Sequence, residues 1–185
     1  MASTLTYIAF LRGINVGGNK LIKMDALAEV FRSAGFRNVK TYIASGNVIF
    51  DTRASDRELL AKKIERRLLK AFGHQIAVVI FSLAELQVLV ERGPFKGLKR
   101  DADTMLFVIL LRSAVAPMKL PLVSKTENFK VIAVQDRAAF MVARRKKTGW
   151  FVYPNNFIEK EFAVVATTRN WSTVEKVVAA AMTNY

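Results

Sequence analysis

The chain has 185 residues, 52% of them hydrophobic, which supplies apolar side chain for one compact domain or two small lobes sharing a core. It has no cysteine, which excludes a disulfide framework, a zinc-thiolate site, an iron-sulfur cluster and a thiol nucleophile, and makes a reducing, cytoplasmic location the expected one. Twenty-nine Lys and Arg against fifteen Asp and Glu leave a net charge of +14, so the surface favours phosphate-rich partners, whether nucleic acid or small molecule.

The excess charge belongs to the body of the chain: fourteen basic and eight acidic residues occur through Arg92, fifteen and seven after it. The same balance also serves solubility alone. The apolar run before Arg12 is too short for a signal-peptide core or a membrane span, and the longest uncharged apolar stretch, Met105 to Leu111, is strand-sized. No membrane partner is expected.

Thr4 to Leu11 reads as a strand that stops at a glycine loop holding Gly13, Gly17 and Gly18. A helix follows, with Met24, Leu27, Ala28, Phe31 and Ala34 on one stripe and Asp25 in the first turn; Gly35 then supplies a left-handed ending. Val39 to Ile43 and Val48 to Phe50 form a hairpin across Ala44-Ser45-Gly46-Asn47. Asp56 to Phe72 is the second helix, with Leu60, Ile64, Leu68 and Phe72 facing a core and cations on its other faces. Ile76 to Phe81 closes a β-α-β-β-α-β series, the order of a ferredoxin-like plait.

Ser82 to Glu91 reads as a connecting helix, with Ser82 and Glu85 at capping-box spacing, and Gly93-Pro94, Gly97 and the charged run from Lys99 to Asp103 mark a boundary. Thr104 to Leu111 restarts the pattern as a buried strand. Pro117 and Pro121 restrict any helix between them. A second hairpin pairs Phe129 to Gln135 with Ala138 to Ala143 across Asp136-Arg137. Trp150 to Tyr153 reads as a further strand, Asn155 to Val165 as partly helical and Trp171 to Met182 as a final helix.

The expected fold is therefore α+β: a ferredoxin-like subdomain over residues 1–82, a connecting helix and linker over 83–103, and a second, less regular subdomain with antiparallel sheet and C-terminal helix over 104–185. The halves echo each other in element order without visible sequence repetition, and a duplicated plait is the economical reading.

Three short motifs stand in order: Leu11-Arg12-Gly13-Ile14-Asn15-Val16-Gly17-Gly18, Ser45-Gly46-Asn47-Val48-Ile49-Phe50 and Ala166-Thr167-Thr168-Arg169-Asn170-Trp171. In that order and at those separations they resemble the bacterial domain-of-unknown-function 1697 family over nearly the whole chain. The resemblance implies a pair of ferredoxin-like subdomains and no established activity. Pro154-Asn155-Asn156 departs from the family's tendency to place glycine after Pro-Asn; asparagine also tolerates the left-handed region.

The glycine loop fails the phosphate-loop pattern, because Asn19 stands where lysine is needed and Lys20 falls one place late; the dinucleotide spacing fails too. What remains is a generic anion cradle of loop amides at Gly17 and Gly18 with Arg12, Asn15 and Lys20, set against a tight crossover whose glycines only permit packing. Ser45 and Asn47 can present polar groups beside that loop, or simply make their turn. Arg169, Asn170 and Trp171 offer a cation, an amide and an aromatic plane suited to a phosphate and a base, or they start the last helix and bury the indole.

Arg144, Arg145, Lys146 and Lys147 with Trp150 make the patch best suited to nucleic acid, and a solvated charged loop is the bland alternative. His74 is the only histidine, so no general-base pair or metal cluster is apparent; no catalytic residue, cofactor or metal is assigned. The functional expectation is binding of a phosphate-bearing ligand, RNA or nucleotide, at a surface combining the glycine loop with the Arg-Asn-Trp corner. A small-molecule enzyme with a site between the subdomains, and an oligomeric scaffold, are the alternatives.

Overall fold

Strand β1 (Thr4–Leu11) is buried continuously from Thr6 onward, as a strand covered on both faces must be, and it takes the central place in the first sheet. The computed structural model describes residues 3–18, 20–98, 101–124, 128–145 and 155–183. Helix α1 (Met24–Ser33) buries Leu27, Ala28 and Phe31 and carries Asp25 in its first turn. Its end is a Schellman motif: the Phe36 amide donates to Phe31 O (3.3 Å) and Gly35, at φ +87°, donates to Arg32 O (2.9 Å).

Strands β2 (Arg37–Tyr42) and β3 (Asn47–Arg53) form the hairpin, and α2 (Arg57–Phe72) starts on Asp56, whose carboxylate accepts the Leu59 amide at 3.0 Å. Strand β4 (Val78–Ser82) completes an antiparallel sheet in the order β2-β3-β1-β4. The outer strand β2 is interrupted by a register shift between Arg37 and Lys40, a bulged and charged edge that resists pairing with another chain. Helix α3 (Leu83–Arg92) begins with the expected capping box: Ser82 N donates to Glu85 Oε2 at 2.8 Å, and Glu85 N donates to Ser82 Oγ at 3.3 Å.

The second sheet contains β5 (Thr104–Leu111), β6 (Leu122–Ser124), β7 (Phe129–Gln135), β8 (Ala138–Arg144) and β9 (Ala166–Asn170), in the antiparallel order β6-β7-β8-β5-β9. Helix α4 (Asn155–Phe162) buries Ile158 and Phe162 with Phe107, Ile109 and Met141 of the sheet, and α5 (Trp171–Met182) follows β9 directly. Strands β6 and β9 are additions to the sequence-based expectation. The strand expected over 150–153 lies outside the described residues. Asn155 and Asn156 begin α4, in line with the partly helical expectation for Asn155 to Val165 and not in a left-handed turn, and Asn155 Oδ1 accepts the Thr168 hydroxyl at 2.7 Å.

By internal contacts the chain divides into two units, Met1–Gln87 with Val177–Tyr185, and Val88–Lys176. Each has its own core. The protein is thus mixed α+β, with antiparallel sheets of four and five strands and five helices among the described residues.

The two sheets share details below the level of strand order. Leu11 N donates to Gly46 O and Arg12 N to Ala77 O; Leu111 N donates to Arg137 O and Arg112 N to Val165 O, all at 2.8–2.9 Å. A helix glutamate caps the first amide of the following strand in both: Glu65 Oε1 accepts from Val78 N and Glu159 Oε1 from Ala166 N, each at 2.9 Å.

Candidate functional site

Arg12 follows the end of β1 with its amide held by Ala77 O, and it lines a cavity together with Gln75, Ile76 and Ala77, just before β4. The loop that follows is anchored by Asn15, whose Nδ2 donates to Ala44 O (2.8 Å) and Ile22 O (3.0 Å) while its Oδ1 accepts the Ile22 amide (2.7 Å). That side chain joins the glycine loop to the hairpin turn. Replacing Asn15 by alanine removes three hydrogen bonds and should cost about 1–3 kcal/mol, read as a lower urea midpoint; an unchanged midpoint would show that the loop holds itself.

Gly13, Gly17 and Gly18 all have positive φ (64°, 60° and 77°), and an added Cβ on any of them would meet nothing within 4 Å. Their role is backbone geometry, and close helix-sheet packing is not what requires them. Lys20 also adopts positive φ (48°), unusual for a long side chain, and its Nζ donates to Gln75 O at 3.1 Å.

Arg12 and Lys20, from the two ends of this loop, line a cavity of about 760 Å³ together with Lys62 and Arg66 of α2. Leu59 and Leu69 of the same helix and Ile76 complete its apolar part. Among the described residues, four cations therefore face one lining carboxylate, Glu65, which caps the Val78 amide. Lys62 makes a surface pair with Glu58 (3.4 Å), a contact too exposed to fix its charge in place. Lys63, also on α2, lies over the Phe36 ring, 4.8 Å from its centroid.

Gly17 and Gly18 are exposed and lie outside the cavity lining, as do the half-buried Asn15 and Ser45 and the buried Asn47. Asn47 is fully buried and serves its turn, with Nδ2 donating to Tyr42 O (2.8 Å) and Ser45 Oγ (3.1 Å).

The Arg-Asn-Trp corner belongs to the second unit and is enclosed. Arg169 is 7% exposed and its Nη1 donates to Thr167 Oγ1 (2.8 Å) and Thr168 O (3.0 Å). Trp171, 4% exposed, makes edge contacts with Phe95 and Phe140 at centroid distances of 5.5 and 5.9 Å. An indole held this way has no face available to a base, so the expected stacking role is corrected to a packing one. Asn170 Oδ1 is buried without a hydrogen-bond partner among the described residues.

In the basic run, Arg144 pairs with Asp101 (3.4 Å) and Arg145 with Asp103 (3.5 Å), while Lys146, Lys147 and Trp150 lie outside the described residues. The Thr104 hydroxyl, 2.5 Å from Asp101 Oδ1, holds that carboxyl below its ordinary 3.8, and Arg144 adds to the effect. The lowered value means the carboxylate's stabilising contribution is complete above pH 3.8 and is lost as pH falls through the lower folded midpoint. An NMR titration should place the Asp101 midpoint below 3.8, and one at or above that value would show the pairing is not kept in solution.

No group of three or more His, Cys, Asp or Glu among the described residues is placed to hold a metal ion, and no helix among them is long and apolar enough to cross a membrane.

The fold and cavity define a two-sheet α+β protein with a basic pocket in its first unit. The chain belongs to the family described as Protein of unknown function (DUF1697), which it matches over residues 5–140. A conserved bacterial protein from Streptococcus pneumoniae, SP0830, is similar in structure with a TM-score of 0.66 at 19% identity, covering 96% of this chain and 98% of that one. That likeness shows a shared fold. No curated protein matches the chain.

Proposed function

We propose that the first unit binds a phosphate-bearing ligand in the cavity between the end of β1, the start of β4 and α2. The observation that carries this is the convergence of Arg12, Lys20, Lys62 and Arg66 on one concavity of drug-like size. Arginine presents a planar fork matched to phosphate oxygens and lysine a compact positive charge, so the set can hold a dianion by charge-assisted hydrogen bonds. The chain's net +14 draws such ligands in.

Both units are read here as ferredoxin-like plaits arising by duplication. Supporting this are the β-α-β-β-α-β order of the first, the matching strand orders β2-β3-β1-β4 and β7-β8-β5-β9, and the paired glutamate caps. In the second unit the described residues between β5 and β7 carry β6 and no crossover helix.

Calorimetric titration with inorganic pyrophosphate tests the binding. Each charge-assisted contact is worth roughly 1.5–3 kcal/mol, so the Arg12→Gln/Arg66→Gln variant should bind at least tenfold more weakly with an unchanged unfolding midpoint. Equal affinity in the two proteins removes the cavity as the site.

A further inference from the structure

The apolar part of the cavity says what the phosphate is attached to. A volume of about 760 Å³ suits an organic molecule and is excessive for a bare anion. On α2, Leu59, Lys62, Arg66 and Leu69 fall within an arc of about 80° at 100° per residue, so two leucines bracket two cations on one stripe of the helix. Leu59 is 65% and Leu69 43% exposed, unlike Leu60, Ile64 and Leu68, which build the core stripe. At 1.5 Å per residue the bracket spans about 15 Å.

Among the described residues, the lining contains no aromatic ring on which a nucleobase could stack. Among those residues it also has no Ser, Thr, Asn or Asp, the short polar groups that would read a sugar or a base edge; Glu65 is engaged with the Val78 amide, and Gln75 supplies an amide side chain. Aliphatic surface flanking a cationic centre matches a ligand with an anionic head and a hydrocarbon body.

Resting on the phosphate reading above, we infer that the cavity takes a single-chain amphiphilic phosphate, a phosphate monoester of an aliphatic alcohol bound as a free molecule. The head sits among Arg12, Lys20 and Arg66, and the chain lies along α2 against Leu59 or Leu69 and Ile76.

Full-length protein titrated with octyl phosphate, inorganic phosphate and adenosine monophosphate in parallel tests this. Octyl phosphate, kept monomeric, should bind at least tenfold more tightly than either of the others, because each buried methylene adds to its affinity. The Leu59→Ser/Leu69→Ser variant, changed only at exposed positions, should lose that advantage and keep its affinity for inorganic phosphate. Adenosine monophosphate binding as tightly as octyl phosphate, or octyl phosphate binding no better than inorganic phosphate, overturns the amphiphile while leaving a phosphate site intact. Binding of none of the three overturns both readings. Capture by phosphatidylglycerol vesicles without binding of monomeric octyl phosphate would also overturn the inference, since it would make a membrane surface the source.

Discussion

Substituting Gly46 by alanine is expected to destabilise the first unit by roughly 2–5 kcal/mol, the sum of a left-handed backbone penalty and forced overpacking. Gly46 sits at φ +78°, and a Cβ built there would lie 2.6 Å from Ile14 Cδ1, 2.9 Å from Ile14 Cγ1 and 3.0 Å from Leu11 Cβ. Ile14 is 1% exposed and has nowhere to swing, and Leu11 is fully buried. The backbone must therefore yield, yet the Gly46 carbonyl is also held by the Leu11 amide at 2.8 Å. Since Leu11 and Ile14 flank Arg12, the same change should displace the arginine and weaken pyrophosphate binding. Urea unfolding measures the stability; a loss below about 1 kcal/mol would mean that the hairpin tip and glycine loop do not interlock.

The second large effect is expected at Phe50, where alanine should cost about 3–5 kcal/mol. Its ring is fully buried among three others, 4.5 Å from Phe36, 5.4 Å from Phe31 and 6.0 Å from Tyr7 between centroids. Those partners come from β1, from α1 and from just beyond its end, so one side chain joins the sheet to a covering helix. Leucine at the same position keeps much of the volume and should cost less than about 1.5 kcal/mol. Similar losses for the two variants would indicate that ring geometry, more than filled volume, secures this core.

The first unit was legible in the sequence because its periods are long and clean. Leu60, Ile64 and Leu68 repeat at helical spacing, and the Gly35 and Gly73 stops fall at helix ends. In the second unit β6 has three residues and β9 five, too short for alternation to register, although Thr167 and Thr168 were a β-branched signal for β9. The correspondence between the two sheets shows in the sequence at Leu11-Arg12 and Leu111-Arg112, and their backbone hydrogen bonds make it recognisable.

For the proposed cavity, helix phase separates the lining residues of α2 from its core residues where residue type does not. Arg169 and Trp171 have the chemistry of ligand contacts but are buried by packing, whereas Leu59 and Leu69 fall off the core stripe of α2 and carry no polar group that would single them out in the sequence. Arg12 and Lys20 stand on either side of the glycine loop in the sequence, and both line the cavity.

Amide chemical shifts followed by NMR while pyrophosphate is added to the full chain test the central claim most directly. The cavity reading predicts saturable changes concentrated at Arg12, Lys20, Lys62, Arg66 and Ala77, and their loss in the Arg12→Gln/Arg66→Gln variant. Non-saturating changes spread over the basic surface, or saturable ones centred elsewhere, would contradict it.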